Sequence, residues 1–561
     1  MNYFKIIVKG AFILSLLSTP FLVAENSCSS SHPHIFKKKT LRADYVIIGV
    51  GTAGAVLAKK LTDNKKTSVI AIHNGKNLTK DPDIRFSKNV ITTVISSLFD
   101  SPFFEAGKTT PQIAADDRKV PWLIGLPLGG ASSINAEAYC RGTNEIYSQW
   151  EAIAGPLWSV DRIDRIYKKL ETYDGKTNDP NSRGTDGPLN VRQNPVPSKV
   201  SKKFTRAIIQ GTGFPFVEDY NDIRTPIGAS RALQYTQKGL DGALRVSSAV
   251  AFLNKKVMTP SGRGVHGRKL RVFFESSALR TIWEGNKAIG IEFVKNGRHK
   301  KVYANKGVIV CAGLRSSPFL MHSGIGPKEL LDSLGIPVVF ANDNVGQGLV
   351  DQPQCLLAFE TDPNDTPVNN HNSAFASIAF FPSPTGDQTK REIRFTPVAQ
   401  VPGLTAVLLD LSQPRSRGSV TINSSNPLFP PVVNIGLLSN PEDLELYQQA
   451  LQVYVKQINN ALQQIDPTYK LISPDPSILD DTNLLTDFIK ETVLGNQCFQ
   501  SHCLMAPLKN AGVVDSRGRV HGVNNLIVAD DSIVPLCMDG TTMASAYLIE
   551  FNIARILNQG E

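Results

Sequence analysis

The sequence predicts a mixed α/β fold that contains a nucleotide-binding βαβ unit, and three observations support this prediction. The chain has 561 residues, enough for two large domains or three to four of ordinary size. Its 41% hydrophobic and 20% charged residues are typical of a chain that buries a sizeable core. A glycine-rich turn near residue 50 separates an apolar stretch from a segment with helical apolar spacing.

The charge balance argues against a dedicated nucleic-acid binder. Lys and Arg number 60 and Asp and Glu 50, so the net charge is +10, a modest excess that is scattered along the chain. The seven cysteines are widely spaced, form no CxxC pair and show no His/Cys spacing typical of zinc sites. We therefore expect neither a disulfide-rich scaffold nor a bound metal.

Residues 1–24 have the pattern of a secretory signal peptide. Lys5 and Lys9 supply positive charge, and a short apolar stretch leads to Ala24, after which cleavage is expected. The stretch is short for a span of about 20 residues, so we expect no stable membrane span after cleavage, with an uncleaved anchor as the alternative. Residues 25–42 are rich in Ser, His and Lys and predict a flexible lead-in. The sequence thus predicts an exported protein: periplasmic, secreted or at the surface.

The first folded segment has the order of a dinucleotide-binding βαβ unit. Asp44–Ile48 is an apolar, β-rich stretch, and Ala55–Leu61 has helical apolar spacing. Val69–Ile72 is a second apolar stretch of strand length. A Gly-x-Gly-x-x-Gly motif joins the first two elements, and this context is far more specific than three glycines alone.

Each residue of the motif has its own role in such a unit. Gly49 permits the tight turn, Gly51 lets the backbone approach a pyrophosphate, and Gly54 lets the helix pack on the strand. The backbone N–H groups of Thr52 and Ala53 would face the phosphates from the start of the helix.

The second strand ends in His73, where dinucleotide-binding units have a carboxylate. A carboxylate accepts two charge-assisted hydrogen bonds from the adenosine ribose, whereas a neutral His accepts one. We expect His73 either to contact the ribose, with weakened binding, or to be a solvated loop residue.

Three later segments indicate which dinucleotide is bound. Gly125–Gly142 is dense in small residues and can lie flat against a large planar ligand. Lys306–Gly313 is an apolar strand that ends in Gly. Gly512–Pro535 contains a further apolar strand, and a helix is predicted over about residues 542–557.

These segments, in this order, resemble the glucose–methanol–choline (GMC) flavoprotein oxidoreductases over about residues 42–558. Gly125–Gly142 is similar to the first signature of that family and Gly313–Pro327 to the second. Smaller family landmarks are matched by Trp158–Asp161, Gly184–Leu189, Arg245–Ala249, Val345–Asp351 and Ser416–Val420. The family includes choline dehydrogenases, glucose and aryl-alcohol oxidases and hydroxynitrile lyases.

The resemblance implies a Rossmann-like FAD-binding domain interleaved with a substrate domain built on an antiparallel sheet. The FAD-binding domain would comprise residues 43–150, 241–349 and 501–561. The substrate domain would comprise residues 151–240 and 350–500.

The resemblance also implies a set of cofactor contacts. The residues expected to line the flavin are Gly129, Gly130, Ser132, Ser133 and Asn135. Ala278 occupies the position whose backbone contacts adenine, and Asp530 the position near the phosphates and ribityl chain. Thr541 and Thr542 lie at the flavin end of the last helix. No histidine of the kind that links flavin covalently is apparent, so FAD is expected to be non-covalent.

The catalytic positions depart from the family pattern. Family members remove a hydroxyl proton with a His, whose pKa can lie near working pH, and pass hydride to flavin N5. A second His or Asn holds the substrate oxygen. Alignment on Cys503 and Met505 places Cys498 at the first position, with His502 four residues later. Thr541 occupies the second position.

Three interpretations follow from this mismatch. In the first, His502 acts as the base through a shifted loop and Thr541 is its hydrogen-bonding partner. In the second, the chain binds FAD but is a catalytically degenerate binding or structural protein. In the third, chemistry uses a Cys498 thiolate or a redox event at Cys498 and Cys503; packing as small hydrophobes is the alternative for both cysteines.

The leading hypothesis is an exported FAD-dependent oxidoreductase that acts on the CH–OH group of a small alcohol. A lyase that binds flavin without cycling it is the rival enzyme class. The sequence specifies neither the substrate nor the electron acceptor. Phe380, Phe381 and Phe395 are candidates for the pocket wall, with core packing as the alternative. The pattern of Glu392–Pro397 predicts a strand with Ile393 and Phe395 on one face.

Overall fold

A computed structural model describes residues 40–86, 101–194, 197–225, 227–239, 244–365 and 376–560, without the side chain of Gln400. The predicted signal peptide and the predicted lead-in up to residue 39 lie outside these residues. Among the helices that are described, none combines the length and apolar character needed to cross a bilayer.

The described residues form two seven-stranded sheets, and the first contains the βαβ unit. Its strands, from one edge to the other, are Leu270–Phe273, Val69–Ile72, Leu41–Ile48, Arg298–Val310, Lys287–Lys295 and Ser276–Glu284, with Leu526–Val528 paired to the end of Arg298–Val310. Leu41–Ile48 pairs in parallel with both of its neighbours, whereas Lys287–Lys295 and Ser276–Glu284 form an antiparallel extension. The predicted Rossmann-like architecture is confirmed.

Burial explains the strands at the centre of this sheet. Tyr45–Ile48 and Val69–Ile72 are buried at every position, as expected of parallel strands that are covered on both faces. The first strand starts at Leu41, one residue before the predicted end of the lead-in at residue 42, because Leu41 and Arg42 extend the ladder to Val302 and Tyr303.

The second sheet is antiparallel. Its strands, in spatial order, are Lys470–Ser473, Pro353–Glu360, Leu404–Leu411, Ile393–Val401, Ile378–Phe381 and Gly228–Ser230, with Leu494–Gly495 paired to the start of Pro353–Glu360. Ile393 and Phe395 are fully buried in one apolar core, which confirms the predicted alternation. Phe381 lies in the same core, whereas Phe380 is buried in a different cluster with Tyr220 and Cys140.

The remaining strands form small sheets. They are Phe104–Lys108 with Pro121–Gly125; Glu171–Asp174, Leu189–Gln193 and Gln234–Tyr235; Gln237–Lys238 with Leu244–Arg245; Ile325–Gly326 with Phe340–Ala341; and Gln347–Leu349, Gly418–Thr421 and Val432–Asn434.

The helices surround both sheets. The α-helices are Thr52–Thr62, Pro82–Arg85, Asn144–Ala154, Val160–Leu170, Lys199–Thr212, Ser248–Phe252, Ser316–His322, Lys328–Ser333, Pro441–Ala450, Lys456–Ile465, Thr482–Thr492 and Met543–Gln559, with a π-helical turn at Leu451–Val455. The 3₁₀ turns are Ile113–Ala115, Gly130–Ser133, Pro156–Trp158, Pro180–Ser182, Gly313–Arg315, Pro363–Asp365, Pro476–Ile478, Leu508–Asn510 and Asp531–Ile533.

The two cores are interleaved more finely than the predicted boundaries. Trp158 and Ile163, assigned to the substrate domain, are buried in the core of the first sheet, where Trp158 donates to the carbonyl of Ser516. Conversely, Val120 and Trp122, assigned to the FAD-binding domain, are buried in the core of the second sheet. Apolar side chains on both sides of the predicted boundary at residue 150 therefore pack across it.

A buried charge network fixes the segment between these cores. Glu171 accepts hydrogen bonds from Arg183 at 2.7 and 3.1 Å and contacts Arg141 at 2.7 Å. Arg183 also donates to Asp219 at 2.9 Å. Burial alone would raise the pKa of Glu171, but the two guanidinium groups lower it below its ordinary value. The carboxylate is therefore charged and compensated.

Replacing Glu171 by Gln leaves two buried guanidinium groups without their shared counterion. We expect E171Q to lose about 3–5 kcal/mol of unfolding free energy, measured by urea denaturation. Asp332→Asn, at an exposed ion pair with Lys328, is the matched control and should leave the urea midpoint unchanged. Equal midpoints for both variants would contradict a stabilising role for the network.

Candidate active site

Two glycine turns face each other at the carboxyl end of the first strand. A Cβ atom on Gly130 would lie 2.7 Å from the Cα of Gly51, so the two backbones leave no room for a side chain between them. Gly49 has φ +84°, and a Cβ atom there would lie 2.3 Å from the carbonyl oxygen of Cys311. At Gly54 a Cβ atom would lie 2.0 Å from the carbonyl oxygen of Gly49, which accounts for the close approach of helix and turn.

The helix Thr52–Thr62 begins without a cap. Gly51 offers no side chain to its first turn, and that turn contains no acidic residue. The N–H groups of Thr52 and Ala53 thus present positive partial charge at the glycine cradle, the surface formed by Gly49, Gly51, Gly129 and Gly130. An anionic phosphate fits this arrangement.

The hydroxyl groups of the first signature hold the cradle in shape. Ser132 donates to the carbonyl of Gly129 at 2.7 Å and accepts from the N–H of Ser248 at 3.0 Å. Ser133 donates to the carbonyl of Leu128 at 2.7 Å. Thr52 joins the two turns, since its hydroxyl oxygen accepts from the N–H of Ser132 at 3.2 Å. These hydroxyls are engaged by the protein itself.

Asn135 connects the first signature to the last helix. Its side-chain oxygen accepts from the N–H of Glu137 at 3.0 Å and from Arg245 at 3.1 Å. Its amide nitrogen lies 3.3 Å from the sulfur of Met543, the first residue of the helix Met543–Gln559.

His73 is buried at the end of the second strand, with 5% of its surface exposed. Its Nδ1 accepts a hydrogen bond from the N–H of Val50 at 3.2 Å. Burial lowers the pKa of His73 to about 4, so the ring is neutral and its proton is on Nε2. That Nε2 is buried and makes no hydrogen bond of good geometry in the described part of the chain, although the backbone of Leu126 and Pro127 lies close enough to the ring to offset part of the lowering of its pKa.

Two expectations for His73 are therefore corrected. It is not a solvated loop residue, because the ring is packed against the turn of Val50. Its acceptor nitrogen is already used, so the free nitrogen is a donor, where a family carboxylate would be an acceptor. A ribose hydroxyl oxygen can accept from it.

Ala278 lies in the same corner as His73. The N–H of Ser276 donates to the carbonyl of His73 at 3.0 Å, and Ser277 donates to Asn74 at 2.9 Å. Ala278 follows on the same strand and is half-buried against the core of the first sheet. The expected adenine position is thus next to the expected ribose position.

Asp530 joins the ends of two parallel strands. Its carboxylate accepts from the N–H of Gly313 at 2.9 Å, from Ser316 at 2.6 Å and from the backbone and hydroxyl of Ser532. Burial nonetheless raises its pKa above the ordinary value. Both carboxylate oxygens are bound by protein donors, so Asp530 holds the edge of the sheet against which a phosphate chain would lie.

Cys498, Thr541 and Thr542 lie together at the N-terminal end of the last helix, its head, and these three residues are called the cluster below. The Cys498 thiol lies beside Thr542, and its backbone N–H donates to Asp351 at 2.7 Å. Thr541 donates to the carbonyl of Ala138, within the first signature, at 3.2 Å. Two sequence-predicted catalytic positions, 498 and 541, are therefore part of one cluster.

Gln352, the residue before the strand Pro353–Glu360 of the second sheet, holds this cluster by hydrogen bonds. Its amide nitrogen donates to the carbonyls of Ser412, Met538 and Gly540 at 2.7, 2.9 and 2.9 Å. A Cβ atom on Gly540 would lie 2.9 Å from the Cβ of Cys140. The turn before Thr541 is thus held between the second sheet and the first signature.

The two cysteines are not activated. Burial raises the pKa of the Cys498 thiol to about 12, with a smaller contribution from the nearby Asp351. Burial also raises the pKa of Cys503 far above its ordinary value. Both residues are free thiols and both are buried. The geometry does not favour the thiolate interpretation.

His502 is enclosed by protein. Its ring is fully buried, and its Nδ1 lies 2.8 Å from the hydroxyl of Ser317. Its carbonyl accepts from the N–H of Gly346. Burial lowers the pKa of His502 to about 3. These contacts do not join His502 to Thr541, so the geometry does not favour a shared catalytic role.

The sequence interpretation missed three charged residues near the cluster. Arg394 donates to Asp410 at 3.1 Å, and both are buried. Burial raises the pKa of Asp351 to about 7. The alternating pattern of Glu392–Pro397 could have indicated one of these residues, because it places Arg394 on the face opposite Ile393 and Phe395.

Comparisons with known proteins agree with this geometry. Residues 43–354 and 414–549 match the N- and C-terminal models of the GMC oxidoreductase family. The alcohol dehydrogenase [acceptor] of Pseudomonas putida is 28% identical over 92% of this chain and 95% of its own. An oxygen-dependent choline dehydrogenase of Sinorhizobium medicae is 29% identical over 88% of this chain and 92% of its own.

A solved structure shows the same fold. The crystal structure of pyridoxine 4-oxidase from Mesorbium loti has a TM-score of 0.81 at 24% identity, covering 92% of this chain and 99% of its own. Family models that span most of the sequence, together with an uncapped glycine cradle suited to a pyrophosphate, lead to one conclusion. The chain belongs to the GMC oxidoreductase family, and FAD is its expected cofactor.

Proposed function

We propose that the protein is a FAD-dependent oxidoreductase that acts on the CH–OH group of a small alcohol and holds FAD non-covalently. The observation that carries this proposal is the intact cradle between Gly51 and Gly130, in a chain of this family. The chemistry that FAD supplies when bound is acceptance of the hydride from the alcohol carbon. From the pattern of residues 1–24 we further propose that the protein is exported.

Different residues of the chain would bind different parts of the cofactor. The uncapped helix at Thr52 would hold the pyrophosphate, and the Nε2–H of His73 would donate to the ribose. The Gly129–Gly130 turn and Asn135 would face the flavin. The head of the last helix would lie at its reacting end.

Removal of the hydroxyl proton of the alcohol is harder to assign to a residue than binding of the cofactor. The Thr541 hydroxyl donates to the carbonyl of Ala138, which leaves its oxygen free to accept from a substrate hydroxyl. Thr541 therefore orients the substrate but is too weak a base to remove its proton. Asp351, with a pKa raised by burial to about 7, is one of the carboxyl groups near this cluster and accepts from the backbone N–H of Cys498.

A second candidate function follows from the burial of the side chains at the predicted catalytic positions. His502 is buried and Cys498 is a protonated thiol, so neither residue supplies an accessible base at neutral pH. A missing general base costs a factor of about 10² to 10⁴ in rate. A FAD-binding protein with slow turnover, or with none, is therefore the alternative.

The first experiment is the visible spectrum of the purified chain after reconstitution with FAD, followed by anaerobic addition of a panel of alcohols. We expect a flavin spectrum that bleaches with at least one alcohol. A flavin spectrum that never bleaches would support the binding protein or, if a cyanohydrin is cleaved, a lyase. A protein that cannot be loaded with FAD would overturn the proposal.

Gly51→Ala tests the cradle without disturbing the fold. The added methyl group meets nothing nearer than the Cα of Gly130 at 3.7 Å, so the free protein should keep its stability. It would fill the space through which a pyrophosphate approaches, so we expect the dissociation constant for FAD to rise about tenfold or more. Fluorescence titration with FAD measures this, and Ala152→Val, at an exposed position of the helix Asn144–Ala154, is the control.

An unchanged FAD affinity in G51A would mean that the pyrophosphate does not lie on the cradle. Loss of stability in G51A would instead show that the space next to Gly51 is needed by the apoprotein.

His502 makes the stability of the fold depend on pH. Its pKa falls from 6.5 in the unfolded chain to about 3 in the fold, so below pH 6.5 protons bind the unfolded state preferentially. Stability is therefore lost as pH falls from 6.5 towards 3, by about 1.4 kcal/mol per pH unit for this residue. We expect His502→Gln to flatten the slope by that amount, measured by urea denaturation between pH 6 and 4.

The same variant tests the first catalytic interpretation. We expect H502Q to bleach at the rate of the unmodified protein, because the ring is enclosed. A loss of about 10² or more would identify His502 as the base. His266→Gln, at an exposed turn, is the matched control for both measurements.

A further inference from the structure

One face of the second sheet carries polar side chains although it is buried. Along the strand Ile393–Val401, Ile393 and Phe395 point into the apolar core, so Arg394 and Thr396 share the opposite face. Arg394 pairs in register with Asp410 on the neighbouring strand. Arg394 and Thr396 are each 4% exposed, and Asp410 is fully buried.

The ion pair on this face has an unused donor. The Nε of Arg394 donates to Asp410, but its Nη1 is buried and has no hydrogen-bond partner among the described residues. Asp410, by contrast, also accepts from Gln354 at 2.8 Å and from Asn496 at 3.2 Å. The carboxylate thus accepts three hydrogen bonds, whereas the guanidinium can bind one more acceptor.

The unused donor lies near the head of the last helix. The thiols of Cys140 and Cys498 are, after Asp410, the titratable groups that act most strongly on the Arg394 guanidinium. Cys498 lies beside Thr542, and Cys140 is packed against the turn before Thr541. The second sheet therefore presents Arg394 to the cluster at which the alcohol would bind.

Further unpartnered polar atoms lie on the same side. The hydroxyls of Thr396 and Ser412 and the side-chain oxygen of Gln352 are buried without hydrogen-bond partners in the described part of the structure. Gln352 bonds to the carbonyls of both Ser412 and Gly540, so these atoms adjoin the helix head. Buried polar groups are costly unless they are satisfied, and a polar ligand would satisfy them.

The carboxylates near this cluster already accept hydrogen bonds from the protein. Asp410 is paired with Arg394, Asp539 accepts from Thr143 at 2.6 Å, and Asp351 accepts from two backbone N–H groups. The spare charge-assisted bond belongs to a guanidinium, which matches a carboxylate.

From these contacts we infer that the substrate is an alcohol bearing a carboxylate, a hydroxy acid, whose carboxylate binds Nη1 of Arg394. The inference rests on the proposed function for the alcohol half of the substrate. The carboxylate half rests on Arg394 alone and can be tested without turnover.

Binding is tested with carboxylates that cannot be oxidised. Propanoate and benzoate are titrated into the FAD-loaded full chain by isothermal calorimetry, with 1-propanol and choline as comparison ligands. We expect the carboxylates to bind and choline not to. Arg394→Met should weaken carboxylate binding about 10- to 100-fold, and Arg394→Lys should retain part of it.

Two further variants keep the test interpretable. Arg394→Met combined with Asp410→Asn removes both charges and covers the case in which the single variant does not fold. Arg280→Met, at an exposed pair with Glu292, is the matched control and should leave carboxylate binding unchanged. Carboxylate binding that persists in the double variant would overturn the inference.

Turnover separates the two proposals. We expect 3-hydroxypropanoate or 4-(hydroxymethyl)benzoate to bleach the flavin with a higher kcat/KM than 1-propanol or benzyl alcohol. If the neutral alcohols or choline are preferred, the inference fails and the proposed function stands. If carboxylates bind through Arg394 but no alcohol bleaches the flavin, the inference on binding stands and the proposed function fails.

Discussion

The approach of the Gly51 and Gly130 backbones is the constraint on which the rest of the site depends. With 2.7 Å between the Cα of Gly51 and a Cβ built on Gly130, any side chain there would drive the two turns apart. The Thr52 hydroxyl then joins the turns by accepting from the N–H of Ser132, and the Ser132 hydroxyl accepts from the N–H of Ser248 in a third segment. Without this approach, the first signature would not lie at the start of the helix Thr52–Thr62.

Burial governs the chemistry available at the catalytic positions. Removal from water favours the neutral form of each titratable group, and its effect is visible at His73, His502 and Cys498. For His73 the result is useful, because a neutral ring with an occupied Nδ1 leaves an Nε2–H donor. For Cys498 the same effect keeps the thiol protonated, and for His502 it makes the buried ring a weaker base.

The second sheet contributes a buried ion pair to the same region. Its buried face holds the Arg394–Asp410 pair, and the guanidinium keeps a donor that no described residue uses. Relatives of this chain include proteins named choline dehydrogenase, whose named substrate is a cation. The substrate proposed here rests instead on a guanidinium donor, so membership of the family and the choice of substrate are separate questions.

Much of the fold was predictable from the sequence because its determinants are local. The strand–glycine–helix order around Gly51 and the alternation of Ile393 and Phe395 need only a few neighbouring residues to be recognised. The packing of Trp158 and Val120 across the predicted boundary at residue 150 was not predictable, because packing partners are not encoded locally.

The sequence by itself determined the α/β class, the dinucleotide-binding unit and the family. Only the tertiary structure decided that His73 offers a donor, that His502 is enclosed against Ser317, and that Arg394 has an unused nitrogen. Each of these properties depends on burial and on partners distant in the chain, such as Ser317 for His502 and Gly540 for Gln352. Hydrogen-bond saturation and desolvation arise only when such segments meet, and for that reason no single motif could specify them.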